Sequence, residues 1–247
     1  DGGKTENIAL SYGDRVRYYL KPNAGVASAL NYAIERMSGD YFSWLSHDDL
    51  YSEEKIEKEL SALPVDGSED VVIYSDYSVF TGDPGKSIPV RLDGVTSEQF
   101  RYWITVENRL HGCTLLIPRK AFEETGVFDE SLRTTQDYDL WFRMARVYRF
   151  VHIPEQLVKA RSHSEQGSHK MAGIALSECN ALLSDFINHL SAEEITGATG
   201  KPLAHSYADI ASSMYERGFE EAGRLAENMA REHGMKVNSG FSANVSN

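Results

Sequence analysis

The sequence predicts an α/β protein, a sheet flanked by helices, that continues into a helical C-terminal region. Short apolar runs alternate with amphipathic helical patterns from the first residue to about residue 161, which is typical of α/β sheet proteins. Beyond residue 170, two stretches at 170–190 and about 203–233 are rich in Ala, Leu and Glu at helical spacing. We therefore divide the chain into residues 1–168 and residues 169–247.

The first strand, turn and helix are predicted between residues 15 and 39. RVRYYL predicts a strand that ends at the turn sequence KPNAG, and Gly39 lies where the following helix would stop. That helix is indicated by apolar residues at helical spacing: Val26, Leu30, Ile34 and Met37.

The next strand, helix and strand follow in order up to residue 80. YFSWL predicts a strand that is cut off at Ser46, and DVVIYSDYSVF is apolar enough to predict a buried strand. The helix between them ends before Pro64 and carries an apolar stripe: Ile56, Leu60 and Leu63.

The remaining α/β part alternates in the same way. Thr96 and Gln99 have the spacing of a capping box, so a helix is predicted to begin there, and GCTLLIP predicts the strand after it. TTQDYDLWFRMA opens another helix, with Asp137 in its first turn, and EQLVKAR predicts the last strand. Apolar spacing predicts the buried faces of the two helices: Phe100, Trp103 and Ile104, then Leu140, Trp141, Met144 and Ala145.

The C-terminal region is predicted to contain helices joined by the loop TGATGKP. YADIASSMYERGFEEAGRLAENMAREHG has the alternation of small and large residues found in helical hairpins. A single copy does not establish a repeat array. The last residues, VNSGFSANVSN, predict a frayed end.

Composition limits the classes of function. A net charge of −12 argues against nucleic acid as the main partner, because phosphate backbones are bound by clustered Lys and Arg. The two cysteines, Cys113 and Cys179, form no CxxC pattern, so the sequence favours a reducing compartment and predicts neither a disulfide framework nor a zinc finger. No run is apolar for the roughly 18 residues that a membrane span needs.

Acidic and polar residues follow several predicted strands. Asp1 lies in a Gly-rich loop. Asn23 follows the RVRYYL strand, and Asp48 and Asp49 follow the YFSWL strand. In open α/β sheets, loops at the carboxyl ends of strands line the ligand crevice. The alternative for Asp48 and Asp49 is a helix N-terminus, since carboxylates are stabilised at that end of the helix dipole. The regular placement of these residues favours a ligand site.

Three motifs in this order resemble family 2 glycosyltransferases, whose catalytic domain has the GT-A fold. They are DGGKTEN, KPNAGVASALNYAIERMSGDYFSWLSHDD and GVFDESLRTTQDYDLWFRMA, and the resemblance covers about residues 1–168. The resemblance implies a GT-A (Rossmann-like nucleotide-binding) mixed sheet flanked by helices. The family's usual first strand and helix are missing ahead of the DGG loop. We therefore expect the natural protein to extend upstream by about one strand–helix–strand unit.

The resemblance implies roles on the nucleotide side of the site. Asp1 matches the acid that contacts base or ribose, and Asn23 and Gly25 match the loop beneath the nucleotide. An ordinary turn is the alternative for Asn23 and Gly25. Asp48 matches the carboxylate that faces ribose and metal, and Asp49 the one that binds the divalent cation. Many relatives carry another Asp at the position of Ser46, so the acidic motif is incomplete here.

The same resemblance implies the catalytic base and a further metal ligand. Asp137 matches the base of inverting members, which commonly have Glu at the position of Gln136. A helix-capping acid is the alternative for Asp137. His163 matches a His that can complete the metal site, with a lone surface histidine as the alternative. His111 and Cys113 resemble a loop near donor sugar and acceptor, without an assigned role.

These residues imply a metal-dependent inverting glycosyltransferase that uses Mn²⁺ or Mg²⁺. The donor would be a nucleotide sugar, with a UDP-sugar favoured, and the acceptor a hydroxyl of a glycan or lipid-linked sugar in bacterial surface polysaccharide synthesis. We expect a cytoplasmic protein, with peripheral association at the inner face of the membrane left open, as is its oligomeric state. Two alternatives remain: a noncatalytic nucleotide-sugar or glycan-binding module, and a sugar nucleotidyltransferase. The lack of a Gly-rich basic triphosphate loop counts against the latter.

Overall fold

The computed structural model describes residues 3–65, 70–107, 109–164 and 171–235. Within these ranges the strands form one mixed sheet in the order β1-β5-β3-β6-β2, with β4 paired to β3. The strands are β1 (Tyr41–Phe42), β2 (Leu50–Tyr51), β3 (Val71–Phe80), β4 (Ile88–Val90), β5 (Leu115–Pro118) and β6 (Arg149–Arg161).

Helices flank this sheet and then continue alone to the end of the described chain. The helices of the α/β part are α1 (Lys4–Ser11), α2 (Val26–Ile34), α3 (Lys55–Ser61), α4 (Ser97–Val106), α5 (Arg119–Thr125) and α6 (Gln136–Met144). Those of the C-terminal region are α7 (Ala172–His189), α8 (Ala192–Thr199), α9 (Leu203–Glu216) and α10 (Glu220–Glu232). No helix in the described part of the chain is long and apolar enough to cross a membrane.

The long strands β3 and β6 lie side by side at the centre of the sheet. They pair in parallel, from Val71 opposite Arg149 to Phe80 opposite Arg161, and the register shifts on both sides of Asp76. The other pairings in the sheet are antiparallel. Strand β3 is buried along almost its whole length and lies between β5 and β6, while β1 pairs with β5. The packed sheet therefore positions the loops that follow β1 and β6.

Several sequence predictions about the elements are confirmed. The buried strand at DVVIYSDYSVF is β3, and EQLVKAR is the second half of β6, which begins earlier at Arg149. The Thr96–Gln99 capping box is present at the start of α4. The predicted face of α6 is buried at Leu140, Trp141 and Met144.

Other predictions about the elements are wrong. The segment RVRYYL is not a strand, because no strand in the described part of the chain pairs with it. YFSWL is a strand only at Tyr41–Phe42, which pair with β5, while Trp44 accepts a hydrogen bond from the Tyr51 hydroxyl across the loop. Residues 196–199 of the predicted TGATGKP loop belong to α8, and the next residue, Gly200, ends the helix in a left-handed conformation.

The predicted stripe of α3 is also wrong at two of its positions. Ile56 and Leu60 are exposed, whereas Lys55 and Glu59 are completely buried. The Lys55 ammonium lies 2.7 Å from both carboxylate oxygens of Glu59. The two charges are one helical turn apart, so they neutralise each other and can be buried together.

The C-terminal helices share their apolar core with the α/β part. Phe186 of α7 stacks on Phe142 of α6, with ring centroids 3.8 Å apart. Buried residues of α8, α9 and α10 belong to the same cluster of contacting side chains. The helical hairpin predicted for this region is formed by α9 and α10.

Candidate active site

Asp48 and His163 form the partly exposed pair of the site. Asp48 lies in the turn between β1 and β2, and His163 follows the end of β6, so the sheet brings the two loops together. The Asp48 Oδ2 and His163 Nε2 atoms are 2.7 Å apart. Burial by itself would raise the pKa of Asp48, but the hydrogen bond with His163 and the nearby His47 hold it below its usual value. Asp48 is therefore an ionised carboxylate beside an imidazole.

Asp49 points the other way, into the protein. Its Oδ1 accepts a hydrogen bond of 2.9 Å from the backbone N–H of Arg161, the last residue of β6. Its Oδ2 lies 3.4 Å from the Cys113 sulfur and 3.7 Å from His111 Nε2. Among the described contacts, Asp49 makes no hydrogen bond or ion pair with His163. Of the two acids that the resemblance placed toward the metal, the structure thus pairs His163 with Asp48.

Asp49, His111 and Cys113 are all metal-ligand types, and their ligand atoms lie within 4.8 Å of one another. Burial raises the pKa of Cys113 to about 12, so its thiol stays protonated and donates to Asp49. His111 Nδ1 accepts the backbone N–H of Cys113 at 3.3 Å, which leaves the ring proton on Nε2, facing Asp49. The trio is therefore a possible metal site, in which the Cys113 thiol donates to Asp49 while no cation is bound.

Gly112 allows this loop to approach Trp44. A Cβ atom at position 112 would lie 2.3 Å from the Trp44 ring, which no side chain can tolerate. The close approach brings Cys113 within 3.4 Å of the backbone nitrogen of Ser46, which donates to the sulfur. Ser46 is therefore part of the packing beneath the acidic turn.

Asp137 is the second residue of α6, as the sequence predicted. It is half-buried, and burial raises its pKa to about 6, although the backbone N–H of Tyr138 donates to its Oδ1 at 2.9 Å and works in the opposite direction. It forms no ion pair within the described chain. A carboxylate that titrates close to neutrality is suited to accept and release a proton.

The remaining predicted residues lie on the nucleotide side or outside the described chain. Asn23 is exposed, and its Oδ1 accepts the backbone N–H of Gly25 at 3.1 Å, which is the geometry of an ordinary turn. Gly25 has φ of 92° and precedes α2, a conformation that favours glycine. Asp1 lies outside the described residues.

Two residues around Asp137 were not predicted from the sequence. The Tyr138 hydroxyl accepts the backbone N–H of Leu110 at 3.1 Å and so ties α6 to the loop before Cys113. The Glu178 carboxylate of α7 accepts hydrogen bonds from the segment before α6, at Arg133 and Thr134. Their partners lie 28 to 45 residues away in the sequence, so no local spacing marks either residue.

The mixed sheet with flanking helices and acidic residues at its strand ends matches a GT-A glycosyltransferase fold. The fold is similar to that of the crystal structure of S. aureus TarS, with a TM-score of 0.53 and 16% identity, over 94% of this chain and 45% of that one. TarS 1–349 in complex with UDP-GlcNAc gives a TM-score of 0.52 at 14% identity, over 93% of this chain and 79% of that one.

The family model described as Glycosyl transferase family 2 matches residues 1–126, and the chain belongs to this family. An uncharacterized glycosyltransferase of Rickettsia felis is 41% identical over 244 residues, which are 96% of this chain and 40% of the relative. One from Rickettsia prowazekii is 38% identical over 99% of this chain and 77% of the relative. The hyaluronan synthase of Pasteurella multocida is 28% identical over 70% of this chain and 18% of its own length.

Two facts limit what these similarities cover. The chain spans about two fifths of the length of its Rickettsia felis relative. The match to the family model ends before Asp137 and His163, while the similarity to the Rickettsia proteins continues through the C-terminal helices.

Proposed function

We propose that the chain is a metal-dependent inverting glycosyltransferase. It would move a sugar from a nucleotide-sugar donor, most readily a UDP-sugar, to a hydroxyl of a glycan or lipid-linked acceptor. The observation that carries this proposal is the Asp48–His163 pair at the strand ends, together with a carboxylate at the start of α6 whose pKa is about 6. Residues 1–168 would be the catalytic unit and residues 169–247 a supporting helical region.

The donor side of the proposal rests on the charge of the site. Asp48 offers an ionised oxygen and His163 an imidazole nitrogen, and both keep some exposure to solvent. This donor set suits Mn²⁺ or Mg²⁺, with Mn²⁺ favoured by the imidazole. When bound, such a cation would neutralise charge on the diphosphate leaving group. Asp49 would hold the acidic turn in place through Arg161, and Asp1, Asn23 and Gly25 would contact the nucleotide.

On the acceptor side, Asp137 would take the proton of the attacking hydroxyl. The hydroxyl oxygen forms a bond to the anomeric carbon as the bond from that carbon to the diphosphate oxygen breaks. A single displacement of this kind inverts the anomeric centre, so an α-linked donor would give a β-linked product. The raised pKa of Asp137 makes it a stronger base than an ordinary carboxylate while leaving it mostly ionised at neutral pH.

The biological setting is proposed from the names of similar proteins. Hyaluronan synthase and a putative teichuronic acid biosynthesis glycosyltransferase of Bacillus subtilis are among the relatives, and one neighbouring structure is a complex with UDP-GlcNAc. These names support a role in bacterial surface polysaccharide synthesis. The chain would work in the cytoplasm, at or near the inner face of the membrane.

A screen of donor hydrolysis and transfer tests this proposal. The full-length protein would be incubated with several nucleotide sugars, with Mn²⁺ and with chelator, and free nucleoside diphosphate would be measured. We expect metal-dependent release from at least one UDP-sugar. Metal-dependent donor binding without any turnover would favour the noncatalytic binding module, and release of pyrophosphate from a nucleoside triphosphate and a sugar phosphate would favour a nucleotidyltransferase.

A further inference from the structure

Glu178 of α7 binds the segment that leads into α6. Its Oε1 accepts the backbone N–H of Arg133 at 2.8 Å, and its Oε2 accepts the backbone N–H of Thr134 at 2.8 Å. The same Oε2 accepts the Thr134 hydroxyl at 2.6 Å and lies 3.4 Å from the Thr135 hydroxyl. One carboxylate from the C-terminal region therefore takes most of the donors that precede the helix bearing Asp137.

This contact lies beside a helix start that has no side-chain cap of its own. The first N–H groups of a helix have no partner within the helix, and a Ser or Thr at the cap position usually supplies one. Thr135 occupies that position in α6 and makes no such side-chain bond. Glu178 instead orders the residues just before the helix, and its negative charge lies near the positive end of the helix dipole. Burial would raise the pKa of Glu178, but the bonds from Thr134 and Arg133 keep it below its usual value, so the carboxylate is ionised.

Helix α7 is itself held firmly. Phe186 is buried against Phe142, and the Asn180 Oδ1 accepts the backbone N–H of Glu221 at 3.1 Å, at the start of α10. Glu178 lies on the same helix, two residues before Asn180. It can therefore transmit the position of the helical region to the start of α6.

We propose that Glu178 is a positioning residue for Asp137, through which the C-terminal helices set the distance from the base to the acceptor hydroxyl. This inference rests on the proposed function of Asp137. Its physical basis is that α6 begins at Gln136, one residue after the segment that Glu178 holds. A helix start that frays would move Asp137 by a distance on the order of an ångström, and a misplacement of about 1 Å can lower a rate by about 10²-fold.

The test compares two substitutions that each remove a carboxylate of the C-terminal region. Glu178→Gln puts an N–H₂ group against backbone donors. Glu194→Gln is the control: it breaks the ion pair between α8 and Arg101 of α4, and the Glu194 side chain has no hydrogen bond to residues 133–135 among the described contacts. We expect Glu178→Gln to lower the transfer rate by roughly 10- to 100-fold. Its affinity for UDP with Mn²⁺ should be unchanged, and Glu194→Gln should transfer at close to the native rate. Equal slowing in both variants would show general loosening and overturn the proposal.

A double-mutant cycle shows whether Glu178 affects the transfer rate through Asp137 or independently of it. In an Asp137→Asn background, Glu178→Gln should lower the residual rate further by much less than it does in the native protein. Equal factors in the two backgrounds would overturn the proposal. Thr134→Val removes one donor without disturbing the carboxylate, and it should slow transfer in the same direction by less. If Glu178→Gln fails to fold, the transfer rate of Thr134→Val is the test instead. A native rate in that variant would contradict the proposal.

The two hypotheses fail in different ways. A native protein that transfers no sugar from any donor contradicts the proposed function. A native protein that transfers normally while Glu178→Gln matches it contradicts only the positioning role of Glu178.

Discussion

Asp48 and Asp49 are neighbours in the chain that face opposite surroundings. Asp48 meets the imidazole of His163 at the open side of the turn, while Asp49 accepts the backbone N–H of Arg161 inside it. Two adjacent carboxylates repel each other unless each has its own partner. The structure provides these partners separately, and we propose on this basis that Asp48 binds the cation and Asp49 supports the turn.

This assignment predicts the result of changing each acid alone. Asp48→Asn should abolish the gain in UDP affinity that Mn²⁺ provides, because the amide is a far weaker ligand than the carboxylate. Asp49→Asn should retain part of that gain but lower the free energy of unfolding by about 1–3 kcal/mol, because a buried acceptor is altered. Calorimetry of UDP binding with and without Mn²⁺ measures the first effect and thermal unfolding the second. Asp40→Asn, at a fully exposed side chain, is the control. Loss of the metal effect in Asp49→Asn alone would reverse our assignment.

Asp137→Asn separates a catalytic base from a capping acid. If Asp137 accepts the hydroxyl proton, transfer should fall by about 10²- to 10⁴-fold, while UDP affinity stays unchanged because the residue acts on the acceptor. Stability should change by less than about 1 kcal/mol, because Asn suits a helix start nearly as well as Asp. Transfer rate, UDP affinity and melting temperature in one variant decide the matter. Normal turnover in the folded variant would remove Asp137 from the mechanism.

The raised pKa of Asp137 predicts an acid limb in the pH profile of transfer. The base must be ionised, and its pKa is about 6, so the rate should be full above about pH 7 and fall as pH decreases through 6. The groups near it are Tyr138 of its own helix and Cys179 of α7, both neutral in this range because burial raises their pKa. An ordinary exposed carboxylate would place the limb near pH 4. A rate that stays constant from pH 7 to pH 5, in protein that remains folded, would contradict this role.

At the level of the elements, the sequence predicted those features that depend on neighbouring residues. The Thr96–Gln99 capping box and the buried face of α6 arise from spacings of three and four residues, which a helix imposes by itself. The strand at RVRYYL was predicted from composition alone, yet a strand needs a partner elsewhere in the chain. The motifs likewise indicated Asp48 and His163, but which acid His163 meets depends on how the ends of β1 and β6 come together.

Helix α3 shows how a tertiary contact overrides a local pattern. The apolar stripe predicted Ile56 and Leu60 inside, but the Lys55–Glu59 pair occupies the interior, where Ser43 also accepts from Lys55 at 3.0 Å. Burial lowers the pKa of Lys55 and raises that of Glu59 to about 7, while each partner offsets part of the shift of the other. The pair lies directly after the acidic turn, and Lys55 holds Ser43 in place ahead of that turn.

The Lys55–Glu59 pair predicts opposite results for single and double substitutions. Lys55→Met leaves Glu59 buried without its partner and should lower the free energy of unfolding by about 3–5 kcal/mol. Lys55→Met combined with Glu59→Leu should cost much less, because two apolar side chains of similar volume remove both buried charges. Chemical denaturation of both variants measures the difference. A double substitution as damaging as the single one would mean that the contact with Ser43, rather than the charge balance, is what matters.

At the level of the whole molecule, the C-terminal helices attach to the α/β part by binding the ends of its helices. Arg217 donates to the carbonyl of Thr105 at 2.9 Å, and Ser213 donates to that of Val106 at 2.7 Å, so both satisfy acceptors at the end of α4. Glu178 binds the segment just before the start of α6. Unpaired polar groups at helix ends are costly when buried. The contact is therefore polar at its edges and apolar at the Phe142–Phe186 stack, and we expect the two parts to unfold together.

Phe186→Ala tests whether they do. The side chain is 1% exposed and stacks on Phe142, so its removal should lower the free energy of unfolding by about 3–5 kcal/mol. Leu176→Ala, at an exposed position of the same helix, should change it by no more than about 0.5 kcal/mol. The three tryptophans, Trp44, Trp103 and Trp141, all lie in the α/β part, so their fluorescence follows the unfolding of that part. If the molecule unfolds as one unit, Phe186→Ala must shift the fluorescence transition and the loss of helical circular dichroism by the same amount. A fluorescence transition that stays at the native midpoint while the dichroism shifts would mean that residues 1–168 fold independently, and that the helices support the site without being needed for its stability.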